Sequence, residues 1–384
     1  MYLHSICPSN LLSFGPDTRE IELTPLNILI GPNGSGKSNF IEAICLIRGT
    51  ASDLQQVVRK GGGVREWIWK GGSANAASVE TVAEYFHQPD GIRHRIEFTD
   101  VQQTAAVLTE RIEASVLRPE IDTLQRYYDL TFIPASVTLM GKPLPFTTVD
   151  RYSSILTQRR DPEQYPQITY LAEQYSMIRV YREWAFGRNT VFREPQRADM
   201  RSDRLEEDFS NLGLVLNRLR RNPQAKKMIL SYLRDLYEGI DDFDVIVEGG
   251  TVQVFFTEGE FTIPATRLSD GTLRYLCLLA ILCDPMPAPL ICIEEPELGL
   301  HPDLLPKIAD LLIEASQRSQ LIITTHSDIL VNAMTDQPES ILVCEKRLGQ
   351  THLERLSTDN LSVWLEKYRL GELWIRGELG GTRW

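Results

Sequence analysis

Eight consecutive residues, Gly31-Pro32-Asn33-Gly34-Ser35-Gly36-Lys37-Ser38, follow the order G-x-x-x-x-G-K-S. The three glycines allow a tight turn in which successive backbone N–H groups converge on phosphate oxygens. A helix opening at the end of such a turn adds its positive N-terminal field. Lys37 supplies a point charge for the outer phosphates, and the Ser38 hydroxyl is placed for Mg2+. Asn33, Ser35 and Asn39 complete the candidate nucleotide contacts. The pattern implies binding of a nucleoside triphosphate.

Three further sites follow in the second half. The apolar run Leu290–Ile293 ends in Glu294-Glu295-Pro296-Glu297. Two acids at the end of a buried strand suit one carboxylate on a Mg2+ hydration shell, Glu294, and one activating the attacking water, Glu295. The plainer reading is that acids mark where a buried strand meets solvent. The run Leu321–Thr325 ends in His326, which can reach a γ-phosphate or simply cap a strand. Ser269-Asp270-Gly271 opens a helix about twenty residues before the acidic strand. Ser269 and Gly271 there make either an ordinary N-cap or a second anion site, and a second site is needed only for another subunit's nucleotide.

These residues need elements to hold them. Two short strands flanking Pro25 are predicted over 19–30, and a helix over 38–48 follows the glycine loop. Val64–Lys70, bracketed by glycines, reads as a short strand. Ile92, His94, Ile96 and Phe98 alternate with charged residues, and Ile112, Ala114 and Val116 alternate likewise, so an antiparallel sheet is expected. Residues 117–235, richer in Arg, Tyr, Gln and Pro, carry helical spacing at Ile168–Arg182, Leu205–Leu219 and Lys227–Leu236. Strands return from 243, with buried candidates at Leu290–Ile293, Gln320–Thr325 and Ile341–Glu345. A helix over 303–318 lies between the first two. Buried strands alternating with helices imply a parallel sheet with nucleotide at its carboxyl ends. The expected organisation is a first lobe at 1–116, a mostly helical lobe at 117–235 and a second lobe at 236–384.

Composition narrows the classes. The chain has 384 residues, 42% hydrophobic and 24% charged, with net charge −12. That balance suits a globular protein and argues against coating nucleic acid through bulk charge. Arg218, Arg220, Arg221, Lys226 and Lys227 cluster near Arg197, Arg201 and Arg204, but interleaved acids favour a solvated face over a DNA groove. The longest apolar stretch, Tyr275–Cys283, is too short to span a bilayer, and the N-terminus shows no secretory pattern, so a cytoplasmic protein is expected. The six cysteines form no C-x-x-C pair and read as reduced core residues.

Taken in order, the glycine loop, Leu268-Ser269-Asp270-Gly271-Thr272, the run from Ile293 to Pro302 and His326 resemble the motifs of the ATP-binding-cassette superfamily. The resemblance is closest to its RecF and structural-maintenance-of-chromosomes branch. The tail, Gly371-Glu372-Leu373-Trp374 and Gly380-Gly381-Thr382-Arg383-Trp384, resembles predicted RecF-like ATPases, the ATPase part of overcoming-lysogenisation-defect proteins among them. The resemblance implies an α/β phosphate-loop fold with a mixed central sheet, an antiparallel β-subdomain and a helical lobe. It implies ATP and Mg2+, with Ser269–Gly271 as signature and His326 as switch histidine. It further implies a head-to-tail homodimer closed on ATP, and work in DNA maintenance or anti-phage defence with a separate nuclease-like effector. Gln158 is the candidate glutamine-loop residue at the metal. Glu294 departs from the usual Asp, which leaves a scaffold with negligible turnover as the alternative. Asp270 replaces the Gly common in transporters and argues against a transport cassette.

Overall fold

The strand Leu26–Ile30 enters the phosphate loop with all five residues buried, in a computed structural model that describes residues 2–85, 88–116, 124–132, 135–184, 187, 190 and 193–381. The chain divides into two units. The first comprises Met1–Ile178, Glu339–Ser357 and Arg376–Trp384, and the second Arg179–Pro338 and Thr358–Ile375. These boundaries differ from the three segments anticipated from composition, because the chain leaves the first unit at 179 and returns to it twice.

In the first unit, Leu26–Ile30 runs parallel to Ile341–Arg347, with Ile28 opposite Ile341. Ile341–Arg347 in turn pairs antiparallel with Gln350–Arg355. A strand buried on both faces reads as a near-continuous apolar run, here Ile28-Leu29-Ile30 after the buried Asn27. The same unit holds an eight-stranded antiparallel sheet. Its strands run in the order Ile21–Glu22, Leu3–Ser9, Ala76–Tyr85, Gln88–Val101, Thr104–Ala114, Arg126–Thr131, Ser136–Leu139 and Lys142–Pro143. The sheet therefore continues past the boundary expected at 116, into the stretch read as mostly helical. Those last strands are short, and Tyr127 is buried beside Tyr128, so their alternation is broken.

Three local expectations are corrected. Val64–Lys70 is not a strand, since Val64–Trp67 forms a helical turn. Gly62 and Gly63, at φ +96° and +95°, reverse the chain there, and the buried Trp67 ring donates Nε1–H to the Val58 carbonyl at 3.1 Å. The helix expected over Ile168–Arg182 spans Pro166–Ser176, and Arg179–Tyr181 is a strand. The helix expected from Leu205 begins at Leu212, because the buried Asn211 amide bonds Glu206 N and the carbonyls of Arg201 and Arg204, tying residues 201–211 into a loop.

In the second unit, Arg179–Tyr181, Leu290–Glu294 and Gln320–Thr324 form parallel neighbours, with Glu294 opposite Thr324. The connection between the last two passes through the helix Leu305–Ser316, as parallel pairing demands. A smaller antiparallel sheet holds Gln196–Arg197, Thr251–Glu258, Asp242–Glu248 and Phe261–Pro264. The apolar helix Asp270–Leu282 begins at an N-cap Ser269 whose hydroxyl accepts from Thr272 N. Among the described residues, no helix is long and apolar enough to cross a membrane.

Candidate nucleotide site

The loop is built in the first unit. Gly31, Gly34 and Gly36 have φ of +148°, +77° and +113°, a region that side chains oppose. A Cβ on Gly31 would lie 2.2 Å from the Cys344 carbonyl oxygen, and one on Gly36 would lie 2.1 Å from Thr351 Oγ1. A Cβ on Gly34 would meet nothing within 4 Å. The helix Lys37–Thr50 starts at Gly36, and among the described residues no side chain caps it. Its positive N-terminal end faces the glycine turn. Ser35 is buried, and among the described residues its hydroxyl has no hydrogen-bond partner. A glycine cradle, an uncapped 14-residue helix and a buried unsatisfied hydroxyl fit a polyphosphate.

Lys37 is buried and rests its ammonium on the carbonyls of Gly31 at 2.8 Å and Pro32 at 3.1 Å. Ser38, Asn33 and Gly34 are exposed. Asn39 instead donates to Ser13 Oγ at 2.7 Å, so its amide braces the loop from outside. Thr351 Oγ1 contacts the same Ser13 hydroxyl at 2.7 Å and the Ser35 carbonyl at 2.8 Å. The Cys344 thiol also donates to the Ser35 carbonyl, and burial pushes its pKa up to about 11, which keeps it a protonated donor. Ser13, Cys344 and Thr351 lie outside every motif, so sequence reading missed them.

Gln158 sits in the first unit at the end of the short helix Ile155–Gln158. Its Nε2 donates to the carbonyls of Asp150 and Ser153, and its Oε1 accepts from Asp150 N at 2.9 Å. The amide closes this turn, so the geometry lends no support to a metal role for Gln158.

The remaining candidates lie in the second unit. Glu294 ends its strand, with its carboxylate 3.9 Å from Arg182 Nε and its carbonyl accepting from Trp184 Nε1 at 2.7 Å. Glu295 has φ +47°, a left-handed conformation costing a non-glycine residue about 1 kcal/mol or more. Its N–H donates to the Thr324 carbonyl at 2.9 Å, and its carbonyl accepts from Arg274 Nη2 at 2.9 Å. Those contacts hold the turn that presents its side chain, and such strain clusters at functional sites. Glu295 Oε1 lies 3.7 Å from His326 Nε2, with both side chains about one-third exposed. The structure thus brings the proposed base and the proposed switch histidine together.

Two residues of this cluster carried no role in the sequence reading. Glu297 Oε1 accepts from Thr325 Oγ1 at 2.7 Å and from His326 N at 2.8 Å, joining the acidic turn to the histidine. Burial raises its pKa above the ordinary carboxylate value. Arg274 stacks 4.3 Å above the Trp184 ring, and burial lowers its pKa to about 10, opposed by Glu297 and Glu295. Glu297 stood in the acidic motif itself, whereas Arg274 sat inside an apolar helix and gave no signal. Ser269 is exposed, and its Oγ accepts from Thr272 N at 3.1 Å, the bond an N-cap makes. A Cβ on Gly271 would lie 3.1 Å from the Gly299 carbonyl oxygen. Among the described residues, no group of three or more His, Cys, Asp or Glu side chains could hold a metal ion. Mg2+ here would need oxygens from phosphate and water, as nucleotide-borne Mg2+ does.

A phosphate loop, an acidic strand end and a following histidine on an α/β framework define a phosphate-loop nucleotide-binding protein. A family profile described as "AAA domain, putative AbiEii toxin, Type IV TA system" matches residues 26–332, and the chain belongs to that family. Among solved structures, an SMC head bound to the C-terminal winged-helix domain of ScpA matches 94% of this chain and 99% of that chain, at TM-score 0.59 and 16% identity. An SMC head with an extended coiled coil, bound to the C-terminal domain of ScpA and derived from Pyrococcus furiosus, covers 95% of this chain and 99% of that chain, at TM-score 0.57 and 15% identity. The Structural maintenance of chromosomes protein 2 of Gallus gallus is 32% identical over 109 residues, 27% of this chain. The chain spans only 9% of the length of that relative. The fold is that of an SMC- and RecF-like head of the ATP-binding-cassette type.

Proposed function

We propose that this chain binds ATP with Mg2+, hydrolyses it, and closes into a head-to-tail homodimer around it. The carrying observation is the Glu295 turn. A carboxylate on a left-handed residue, its backbone held by Thr324 and Arg274 and with His326 3.7 Å from it, supports a role in taking a proton from water. Gly31, Gly34, Gly36 and the start of the Lys37–Thr50 helix bind the phosphates, and Lys37 moves from its two carbonyls onto the outer ones. His326 orients the Glu295 carboxylate, and Glu297 holds the His326 backbone. Mg2+ would neutralise charge on the phosphate oxygens; Ser38 is the residue that would hold it, and Glu294 the proposed carboxylate for its hydration shell. Ser269 and Gly271 bind the partner's nucleotide from the helix start.

The wider role follows the family and the fold. A sensor or clamp in DNA maintenance or anti-phage defence agrees with a family described by a toxin–antitoxin system and with a fold shared with SMC heads. Both of those heads carry a bound ScpA domain, which supports a separate effector protein such as a nuclease here. The basic cluster does not support a DNA groove. Arg218 pairs with Asp284, Arg220 with Asp244 and Lys226 with Asp242, while Arg197, Arg201 and Arg204 pair with Asp199 and Asp203.

A second reading, an ATP-bound scaffold with negligible turnover, is favoured by Glu294, whose longer side chain lies near Arg182. Phosphate release from Mg-ATP separates the two. The enzyme reading expects steady release by the wild type, falling at least about a hundredfold in Glu295→Gln. Bound nucleotide with no release establishes the scaffold, and no nucleotide binding refutes both.

A further inference from the structure

The back of the phosphate loop is covered by a segment that nucleotide chemistry does not call for. After Ile375 the chain returns to the first unit and turns at Gly377, Gly380 and Gly381, whose φ values are +81°, +75° and +56°. Gly381 N donates to Glu345 Oε1 at 2.6 Å, and a Cβ on Gly380 would meet the same oxygen at 2.6 Å. A Cβ on Gly381 would lie 2.9 Å from Val343 Cγ1, 3.4 Å from Gly31 Cα and 3.6 Å from the Cys344 carbonyl oxygen. Gly31 is thus confined between that carbonyl and Gly381, and neither glycine has room for a side chain. Leu379, within the turn, is buried. The Gly381 amide, then Arg347, hold the Glu345 carboxyl below its ordinary range, so it accepts as a full charge at neutral pH.

We infer that the Gly377–Gly381 turn, pinned by Glu345, is a positioning clamp for the phosphate loop. It fixes the backbone of Gly31, and with it the carbonyl on which Lys37 rests at 2.8 Å. Glu345 acts through the clamp and does not touch the triphosphate. The inference rests on the nucleotide-binding reading above. Coupling is reciprocal: a clamp that favours triphosphate binding is itself tightened by triphosphate.

The test titrates a fluorescent ATP analogue with Mg2+ into the full chain. Gly381→Val and Glu345→Ala are each expected to raise Kd at least about fivefold, the lower end of ordinary coupling. Arg347→Ala removes the carboxylate's other partner but spares the Gly381 bond, and it is expected to bind as the wild type does. Loss of folded protein lowers the titration amplitude and leaves the midpoint in place, which separates misfolding from lost positioning. Should Gly381→Val fail to fold, Glu345→Ala carries the test. In the wild type, Mg-ATP is expected to slow hydrogen exchange at the Gly381 amide. A Kd rise below fivefold in Glu345→Ala, an equal rise in Arg347→Ala, or unchanged exchange at Gly381 overturns the clamp. A wild type that binds no nucleotide refutes the nucleotide-binding reading itself.

Discussion

At the residue scale, the loop glycines and Glu297 make opposite kinds of demand. Gly31 is fixed by space: Ala there would set a Cβ 2.2 Å from a backbone oxygen. Gly31→Ala is therefore expected to weaken ATP binding at least about tenfold, since a strained backbone alone costs about 1–2 kcal/mol, and calorimetric titration checks it. Glu297 is fixed by charge. Its folded-state pKa lies above its ordinary value of 4.5, so the stability it contributes is whole below that value and fades as pH rises through the folded one. Glu297→Gln keeps an acceptor for Thr325 and His326 without the buried charge. Its melting temperature, relative to wild type, is expected to climb as pH rises above 4.5, and a constant difference would contradict the assignment. The glycine loop and the acidic strand end stand out in the sequence because glycines, a lysine and paired acids at fixed spacing have few other uses. Ser13, Thr351, Cys344 and Arg274 do not, because their roles arise from contacts across long sequence separations.

At the element scale, the second half of the chain shows how a motif is held by what packs behind it. Ser327, next to His326, N-caps the short helix Asp328–Ala333. Against that helix lies Leu370–Ile375, where a Cβ on Gly371 would sit 2.3 Å from the Asp328 carbonyl oxygen and 2.6 Å from Asn332 Oδ1. Gly371→Ala is expected to destabilise the fold by about 1–3 kcal/mol through overpacking, read as a lowered denaturation midpoint. Strands buried on both faces, such as Leu290–Glu294 and Gln320–Thr324, were legible because their centres, Leu290–Ile293 and Leu321–Ile323, are wholly apolar. Arg126–Thr131 and Ser136–Leu139 were not, because four to six residues hold too little alternation to outweigh a polar composition. The late start of the helix at Leu212 depended on one buried amide, Asn211, and no periodicity reports such a contact.

At the scale of the whole molecule, a net charge of −12 and paired arginines leave little field to draw DNA. Each cation resting on a phosphate would add about 0.9 to the slope of log affinity against log salt. Replacing Arg221 and Lys227 together with Ala is expected to leave that slope unchanged, and a fall of nearly two would restore the groove. Nucleotide is instead the proposed glue between two copies, with one chain's loop and its twin's Ser269 sharing a triphosphate. Light scattering of Glu295→Gln with Mg-ATP tests this most directly. The mass is expected to double with nucleotide, and to stay single when Ser269→Arg is added. A Glu295→Gln chain that stays single at saturating ATP, or that doubles equally well with Ser269→Arg, would contradict it.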